Sequence, residues 1–266
     1  MYFKNSNGEI YYQEYGEKNN PAIVFIHGVG MDHRTFTEQA NALKSRYRVI
    51  ILDLPGHGKS AKIDKGLEFS GVSAKLIIEL LDYLEIDRAV MVGQSLGSFV
   101  AQKAAERYPD RILASVHLSG GSLYPGYPSI MRAMKPLISL TMFLLPEKFL
   151  YKKFAEHKAF KAETQDYLEE VTAANGKKII THLTLEMFND MSSGISNPLN
   201  HNLLLVYGEH DLNFIKKLSR KWHEGNPNSE LVEIKNAHHI ANQDNPKDFN
   251  KVLESFLYRE YRLIKG

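Results

Sequence analysis

The chain has 266 residues, of which 43% are hydrophobic and 24% charged, and its formal net charge is +2. This balance is typical of a soluble globular protein, and a chain of this length is expected to fold as one large domain or as a core with an insertion. So small a net charge gives no reason to expect a nucleic-acid partner, and the absence of cysteine excludes disulfides, thiolate nucleophiles and cysteine-bound metals.

The first half of the chain alternates between apolar runs and segments with helical spacing of apolar residues. Such alternation favours an open, mostly parallel sheet whose strands are joined by helical crossovers, with binding groups at the carboxyl ends of the strands. The expected strands are residues 10–15 (as an edge strand), 22–26, 49–52, 89–92 and 112–118, and the expected helices are 36–43, 72–84 and 99–108.

Residues 122–198, called the cap segment below, break this rhythm, because they are rich in Met, Phe, Leu and Lys and show no strand pattern. We interpret them as a helical cap inserted into an α/β core made of residues 1–121 and 199–266. The strand pattern resumes after the cap segment, with strands expected at 203–207 and 230–234 and helices at 215–223 and 249–257.

The stretch Gly93-Gln94-Ser95-Leu96-Gly97 follows an expected strand and begins an expected helix. A serine between two glycines at this spacing can occupy a strained turn that exposes its hydroxyl, because glycine permits close backbone approach. The pattern therefore indicates a nucleophile, although a tight-turn serine without a chemical role would have the same spacing.

A serine hydroxyl needs a base within hydrogen-bond reach and a third group that orients the base. Asp211 and His239 each follow a late expected strand, so both are expected at the same edge of the sheet as Ser95. Two alternatives stay open here: His238 is adjacent to His239, and Glu209 is the nearest rival carboxylate. Asp211 could also simply cap the helix that follows it.

Taken together, these motifs resemble those of the α/β-hydrolase superfamily, and the resemblance extends from about residue 10 to residue 257. The matching stretches are the oxyanion-loop motif His27-Gly28-Val29-Gly30, the turn at 53–60, the nucleophile elbow at 93–97, the acid loop at 208–211 and the histidine loop at 236–239.

The resemblance implies a role for each matching residue. Ser95 is the nucleophile, His239 the base and Asp211 the acid, while the backbone N–H groups of Val29 and Leu96 form the oxyanion hole. His238 stands where the family usually has glycine. In addition, His27 and His57 are expected to organise loops, and neither a cofactor nor a metal is expected.

The sequence thus predicts a cofactor-independent serine hydrolase that cleaves carboxylic esters with a small or medium acyl group. One alternative is a carbon–carbon bond hydrolase or lactonase with the same triad, and another is a hydrolase-like small-ligand receptor with slow turnover. The expected partner is a small ester-like molecule, with no nucleic acid or membrane partner, and the expected state is a monomer or homodimer. We expect a cytoplasmic protein, because residues 1–9 lack the apolar segment of a signal peptide.

Overall fold

The computed structural model describes residues 1–5, 8–62, 68–128 and 130–265. Within them, eight strands form one sheet in the order β1-β2-β4-β3-β5-β6-β7-β8. The strands are β1 (Tyr2–Asn5), β2 (Gly8–Tyr15), β3 (Ala22–Ile26), β4 (Arg48–Leu52), β5 (Ala89–Gln94), β6 (Ile112–Leu118), β7 (Leu203–Gly208) and β8 (Ser229–Ile234). Pairing is antiparallel for β1 with β2 and for β2 with β4, and parallel from β4 to β8. The prediction of a mostly parallel sheet is confirmed.

The prediction that residues 10–15 form an edge strand is wrong. They belong to β2, which lies between β4 and β1, and Tyr2 of β1 pairs with Tyr11 of β2. The edge strand β1 has only four residues, and of these only Phe3 is buried. So short a segment with one buried side chain carries too little hydrophobic pattern to be recognised from the sequence.

Helices cover both faces of the sheet. The helices are α1 (Thr37–Leu43), α2 (Phe69–Tyr83), α3 (Leu96–Arg107), α4 (Ile130–Ala133), α5 (Lys135–Leu144), α6 (Glu147–Lys158), α7 (Ala162–Asn175), α8 (Lys177–Ser193), α9 (Asn213–Glu224), α10 (Ala241–Asp244) and α11 (Pro246–Lys265). In β3, Val24 and Ile26 pack in one hydrophobic cluster with α2 and α3, whereas Ile23 and Phe25 pack in a second cluster with α1 and α11. Burial on both faces explains why this strand is a continuous apolar run.

Helices α4 to α8 of the cap segment connect β6 to β7. A third hydrophobic cluster joins Ala155 of α6 and Leu168 of α7 to Met31, which follows β3, and to Ile240, which follows β8. Helices α6 and α7 therefore lie over the carboxyl ends of β3 and β8. The division into a core and a cap domain at residues 122 and 198 stays a prediction. Among the described residues, no helix has the length and apolar character required to cross a bilayer.

Candidate active site

Ser95 lies at a sharp turn between β5 and α3. Its φ is 51°, in the left-handed region that non-glycine residues adopt rarely and at a cost. The Ser95 N–H donates to the carbonyl of Leu118 in β6 over 2.9 Å, which holds this turn against the neighbouring strand. The sequence therefore forms the strand, turn and helix that a nucleophile elbow requires.

The two glycines that flank Ser95 permit close backbone approach. A Cβ on Gly93 would overlap the carbonyl of Gly97, and a Cβ on Gly97 would overlap the carbonyl of Ile26 at the end of β3. Glycine is required at both positions because a side chain would force the elbow away from the sheet.

Asp211 and His239 meet at the same edge of the sheet. Asp211 follows β7, His239 follows β8, and the distance from His239 Nδ1 to Asp211 Oδ1 is 3.0 Å. Asp211 Oδ1 also accepts from the N–H of Leu212 over 2.8 Å. With Nδ1 donating to the carboxylate, Nε2 is the ring nitrogen that can accept a proton.

His239 Nε2 is buried and has no hydrogen-bond partner within the described part of the chain. The structure thus brings Asp211 and His239 into direct contact, whereas no hydrogen bond joins Ser95 to His239 in this state. Catalytic hydrogen bonds are often formed only when substrate is bound, and a serine hydroxyl can reorient by rotation about χ1.

Two residues that the sequence did not single out hold the backbone of His239. Ser119 Oγ donates to the His239 carbonyl over 2.9 Å, and Gln94 Nε2 donates to the same oxygen over 3.3 Å. Ser119 follows β6 with φ 52°, and Gln94 directly precedes Ser95. The only sequence signal for either residue was the position of Gln94 in the elbow motif, directly before Ser95.

The electrostatics of the pair favour a neutral base and an ionised acid. Burial lowers the pKa of His239, the charge of Lys158 lowers it further, and Asp211 opposes both effects. Burial alone would raise the pKa of Asp211, but the charge and hydrogen bond of His239 bring it below the ordinary value. A neutral imidazole beside an ionised carboxylate is the state that general-base catalysis needs.

The rival residues lie elsewhere. The N–H of His238 donates to Asp244 Oδ2 over 2.9 Å, and the ring of His238 lies 5.7 Å from that of His210. The carboxylate of Glu209 accepts from the N–H of Asn236 and the side chain of Lys235. Neither residue takes part in the contact between Asp211 and His239, so the geometry favours that pair over the alternatives.

The loop after β3 packs against the elbow. A Cβ on Gly28 would lie 3.1 Å from the Cβ of Ser95, so this loop, which also contains Val29, adjoins the serine. The backbone N–H of Leu96 belongs to the first turn of α3, where N–H groups lack partners within the helix. The geometry of these two segments suits the predicted oxyanion hole.

The rings of His27 and His57 accept hydrogen bonds from backbone N–H groups in and next to this loop. His27 Nε2 accepts from the N–H of Leu54 over 2.9 Å, and His57 Nε2 accepts from the N–H of Gly30 over 3.2 Å. Burial lowers the pKa of His57 to about 3, so its ring is neutral and can accept this bond. These contacts are those of loop-organising residues.

Across the described ranges, no group of three His, Asp or Glu side chains is arranged to hold a metal ion.

A model of the alpha/beta hydrolase fold family matches residues 21–165. The chain is 25% identical over 260 residues to the uncharacterized hydrolase YugF of Bacillus subtilis strain 168, covering 93% of this chain and 94% of that protein. It is 28% identical over 269 residues to a 2-hydroxy-6-oxononadienedioate/2-hydroxy-6-oxononatrienedioate hydrolase of Burkholderia vietnamiensis, covering 94% and 91%.

The fold is similar to that of a thermophilic esterase from Thermogutta terrifontis. The TM-score is 0.82 at 18% identity, and the match covers 95% of this chain and 94% of the esterase. The structural match and the family model confirm the predicted fold class, and the family model with the similar hydrolases confirms the prediction of a hydrolase.

Proposed function

This chain belongs to the alpha/beta hydrolase family, and we propose that it is a cofactor-independent serine hydrolase that cleaves carboxylic esters with a small or medium acyl group. In this proposal Ser95 is the nucleophile, His239 the base and Asp211 the residue that orients the base. The observation that supports it most is the 3.0 Å contact of His239 Nδ1 with Asp211 Oδ1, which leaves Nε2 unpaired at the sheet edge that carries Ser95.

The first half of the reaction acylates the enzyme. Ser95 Oγ attacks the acyl carbon while its proton passes to His239 Nε2, and the N–H groups of Val29 and Leu96 donate to the oxyanion that forms. As the tetrahedral intermediate collapses, the bond from the acyl carbon to the alcohol oxygen breaks. His239 then returns its proton to the leaving alcohol, and Asp211 stabilises the imidazolium throughout.

The second half repeats these steps with water. His239 takes a proton from a water molecule as its oxygen attacks the acyl-enzyme. The intermediate again places its oxyanion at Val29 and Leu96, and collapse breaks the bond from the acyl carbon to Ser95 Oγ. His239 returns the proton to Ser95, and the carboxylic acid leaves.

Two measurements on the purified protein test the proposal. We expect hydrolysis of short p-nitrophenyl esters and covalent labelling by a fluorophosphonate, with the label located at Ser95 by peptide mass spectrometry. Ser95→Ala should abolish both signals with its circular dichroism spectrum unchanged. The absence of both signals from folded wild-type protein would contradict the proposed function, and it is the result that a receptor with a vestigial triad would give.

A second candidate is hydrolysis of a carbon–carbon bond or a lactone by the same residues. It is favoured by the likeness to the Burkholderia vietnamiensis hydrolase, because that relative is similar across 94% of this chain. Comparing kcat/KM for a chain-length series of esters with that for a lactone and a 2-hydroxy-6-oxodienoate distinguishes the candidates. A preference of at least about a hundredfold for the dienoate would favour the second candidate over the first.

A further inference from the structure

Lys158, the last residue of α6, lies in the cap segment next to the histidine loop. Its carbonyl accepts from the N–H of Ile240, the residue that follows His239, over 3.2 Å. Its Nζ lies 5.5 Å from the centre of the Phe154 ring, one turn earlier in the same helix. That ring in turn reaches within 3.5 Å of the position a Cβ would take on Gly30. The side chain therefore lies over Phe154 near the oxyanion loop, while its backbone contacts the histidine loop.

The ammonium group of Lys158 has no hydrogen bond or ion pair with any carboxylate among the residues that the structure describes. Its charge nevertheless acts on the triad, since it lowers the pKa of His239 and is itself affected by Asp211. Burial lowers the pKa of Lys158 to about 8. A partly buried cation without a counterion is costly, and such a group is stabilised when an anion binds beside it.

A positive charge beside the base also opposes catalysis, because it disfavours the imidazolium that forms when His239 accepts a proton. A carboxylate bound to Lys158 would neutralise that charge. The same contact would then bind the substrate and make His239 a stronger base, so its effect extends to the transition state.

We propose that Lys158 recognises an ionised carboxylate on the substrate, so that the enzyme prefers esters or lactones that carry a second, anionic group. This inference rests on the proposed function and names the substrate class of that same site. Lys158 is a specificity-determining residue here, and it takes no part in bond making or breaking.

The test uses substrate pairs that differ in charge and little in shape. In the first pair, monoethyl glutarate carries the charge on the acyl side of the ester, and ethyl 4-carbamoylbutanoate is its uncharged counterpart. In the second pair, O-acetylglycolate carries the charge on the alcohol side, and O-acetylglycolamide is its uncharged counterpart. Proton release gives kcat/KM for each at pH 7, below the pKa of Lys158 of about 8. We expect the wild type to prefer the acid in at least one pair by about tenfold or more, as for a charge-assisted hydrogen bond.

The variants are Lys158→Met and Lys158→Gln, with Lys158→Arg to retain the charge and Lys152→Met as a matched control. Lys152 is an exposed residue of the same helix, so the control changes the net charge equally. We expect Lys158→Met and Lys158→Gln to remove the preference for the acid, and Lys158→Arg and Lys152→Met to keep it. The kcat/KM for the uncharged ester of each pair should stay within about threefold of wild type in Lys152→Met, and it should not fall in Lys158→Met or Lys158→Gln, because removing the Lys158 charge makes His239 a stronger base.

A second readout excludes a merely structural role. The groups that act on His239 are Lys158, Asp211 and His238. Removing the like charge of Lys158 raises the pKa of the base, so the acidic limb of kcat/KM for a neutral ester should move to higher pH in Lys158→Met and not in Lys152→Met.

An unchanged acid-to-amide ratio in folded Lys158→Met and Lys158→Gln would overturn the inference. That result leaves the proposed function intact as long as the neutral esters are still cleaved. If the wild-type protein cleaved none of the esters and Ser95 were not labelled, the proposed function would fail, and the inference with it.

Discussion

The loops that carry the proposed triad are more deeply buried than much of the cap segment. His239 and Asp211 are 2% and 4% exposed, the carbonyl of His239 accepts from Ser119 Oγ, and the N–H of Asp211 donates to the carbonyl of Gly208. In contrast, helix α5 of the cap segment has no buried residue, and Leu137 and Leu144 on it are 64% and 68% exposed. Under the proposed function, the core holds the reacting groups in place and the cap segment supplies the contacts that select a substrate.

The cap segment itself is not uniform. Leu168 and Val171 of α7 are 0% and 1% exposed and pack against Met31 of the core. The part of the cap segment next to the proposed triad is thus anchored by its own cluster, whereas α5 is not. Exposure of this kind indicates a region whose side chains can change at little cost in stability.

The largest expected effect concerns the core. His239→Ala should lower kcat/KM for a short p-nitrophenyl ester by roughly 10⁴-fold or more, because the nucleophile loses its base. His238→Ala is the matched control, and its loss should stay below about tenfold, since its N–H and not its ring bonds Asp244. Circular dichroism should show that both variants are folded. Equal losses of kcat/KM in the two would contradict the assignment of His239 and not His238 as the base.

Substitution of one glycine in each region compares how much stability each region loses when a side chain is added. Gly97→Ala should lower the free energy of unfolding by roughly 3 kcal/mol or more, because the new Cβ would overlap the Ile26 carbonyl. Gly176→Ala, between α7 and α8, should cost roughly 1–3 kcal/mol, because its φ of 80° and ψ of 148° are adopted almost only by glycine, although no atom lies within 4 Å of the new Cβ. Urea denaturation measures both. A larger loss at Gly176 would reverse the comparison.

The buried carboxyl of Asp190 tests how the cap segment is joined to the core. It lies in α8 and bonds to Ser70 of α2, and burial raises its pKa to about 7. Because the pKa is higher in the folded state, protonated Asp190 contributes to the free energy of unfolding. This contribution is fully present below the unfolded pKa near 3.8 and is lost as pH rises through about 7. The wild type should therefore lose stability relative to Asp190→Asn between pH 4 and pH 8, by roughly 4 kcal/mol.

Urea denaturation of both proteins at several pH values in this window gives the difference directly. If the two curves ran parallel, or the wild type gained relative stability as pH rose, Asp190 would not be a buried neutral carboxyl.

The smallest effect is expected on α5. The double variant Leu137→Gln and Leu144→Gln should change the free energy of unfolding by no more than about 0.5 kcal/mol, because both side chains are already exposed. Leu168→Ala in α7 is the comparison, and it should cost roughly 2–4 kcal/mol, since a buried side chain is removed. A thermal denaturation series on the three proteins is sufficient. Similar losses for α5 and α7 would show that the cap segment is packed more evenly than its exposure indicates.

Much of the fold could be predicted from the sequence, because the signals are local. The apolar run of β3 marks a strand buried on both faces, and the expected strand at 112–118 coincides with β6. The elbow at Ser95 was predictable because the spacing of its serine and glycines is local, although the contact that excludes a side chain at Gly97 is with Ile26 of β3. By contrast, the edge strand β1 was missed because its four residues include only one buried side chain.

The sequence by itself determined the positions of Ser95, Asp211 and His239 at the ends of expected strands, since hydrophobic runs and turn residues fix those ends. Only the tertiary structure decided that His239 rather than His238 contacts Asp211, and that Ser119 and Gln94 hold the His239 backbone. It also decided that Lys158 contacts the residue that follows His239. These contacts join residues far apart in the chain, and no local spacing or propensity encodes a distance that depends on how whole elements pack together.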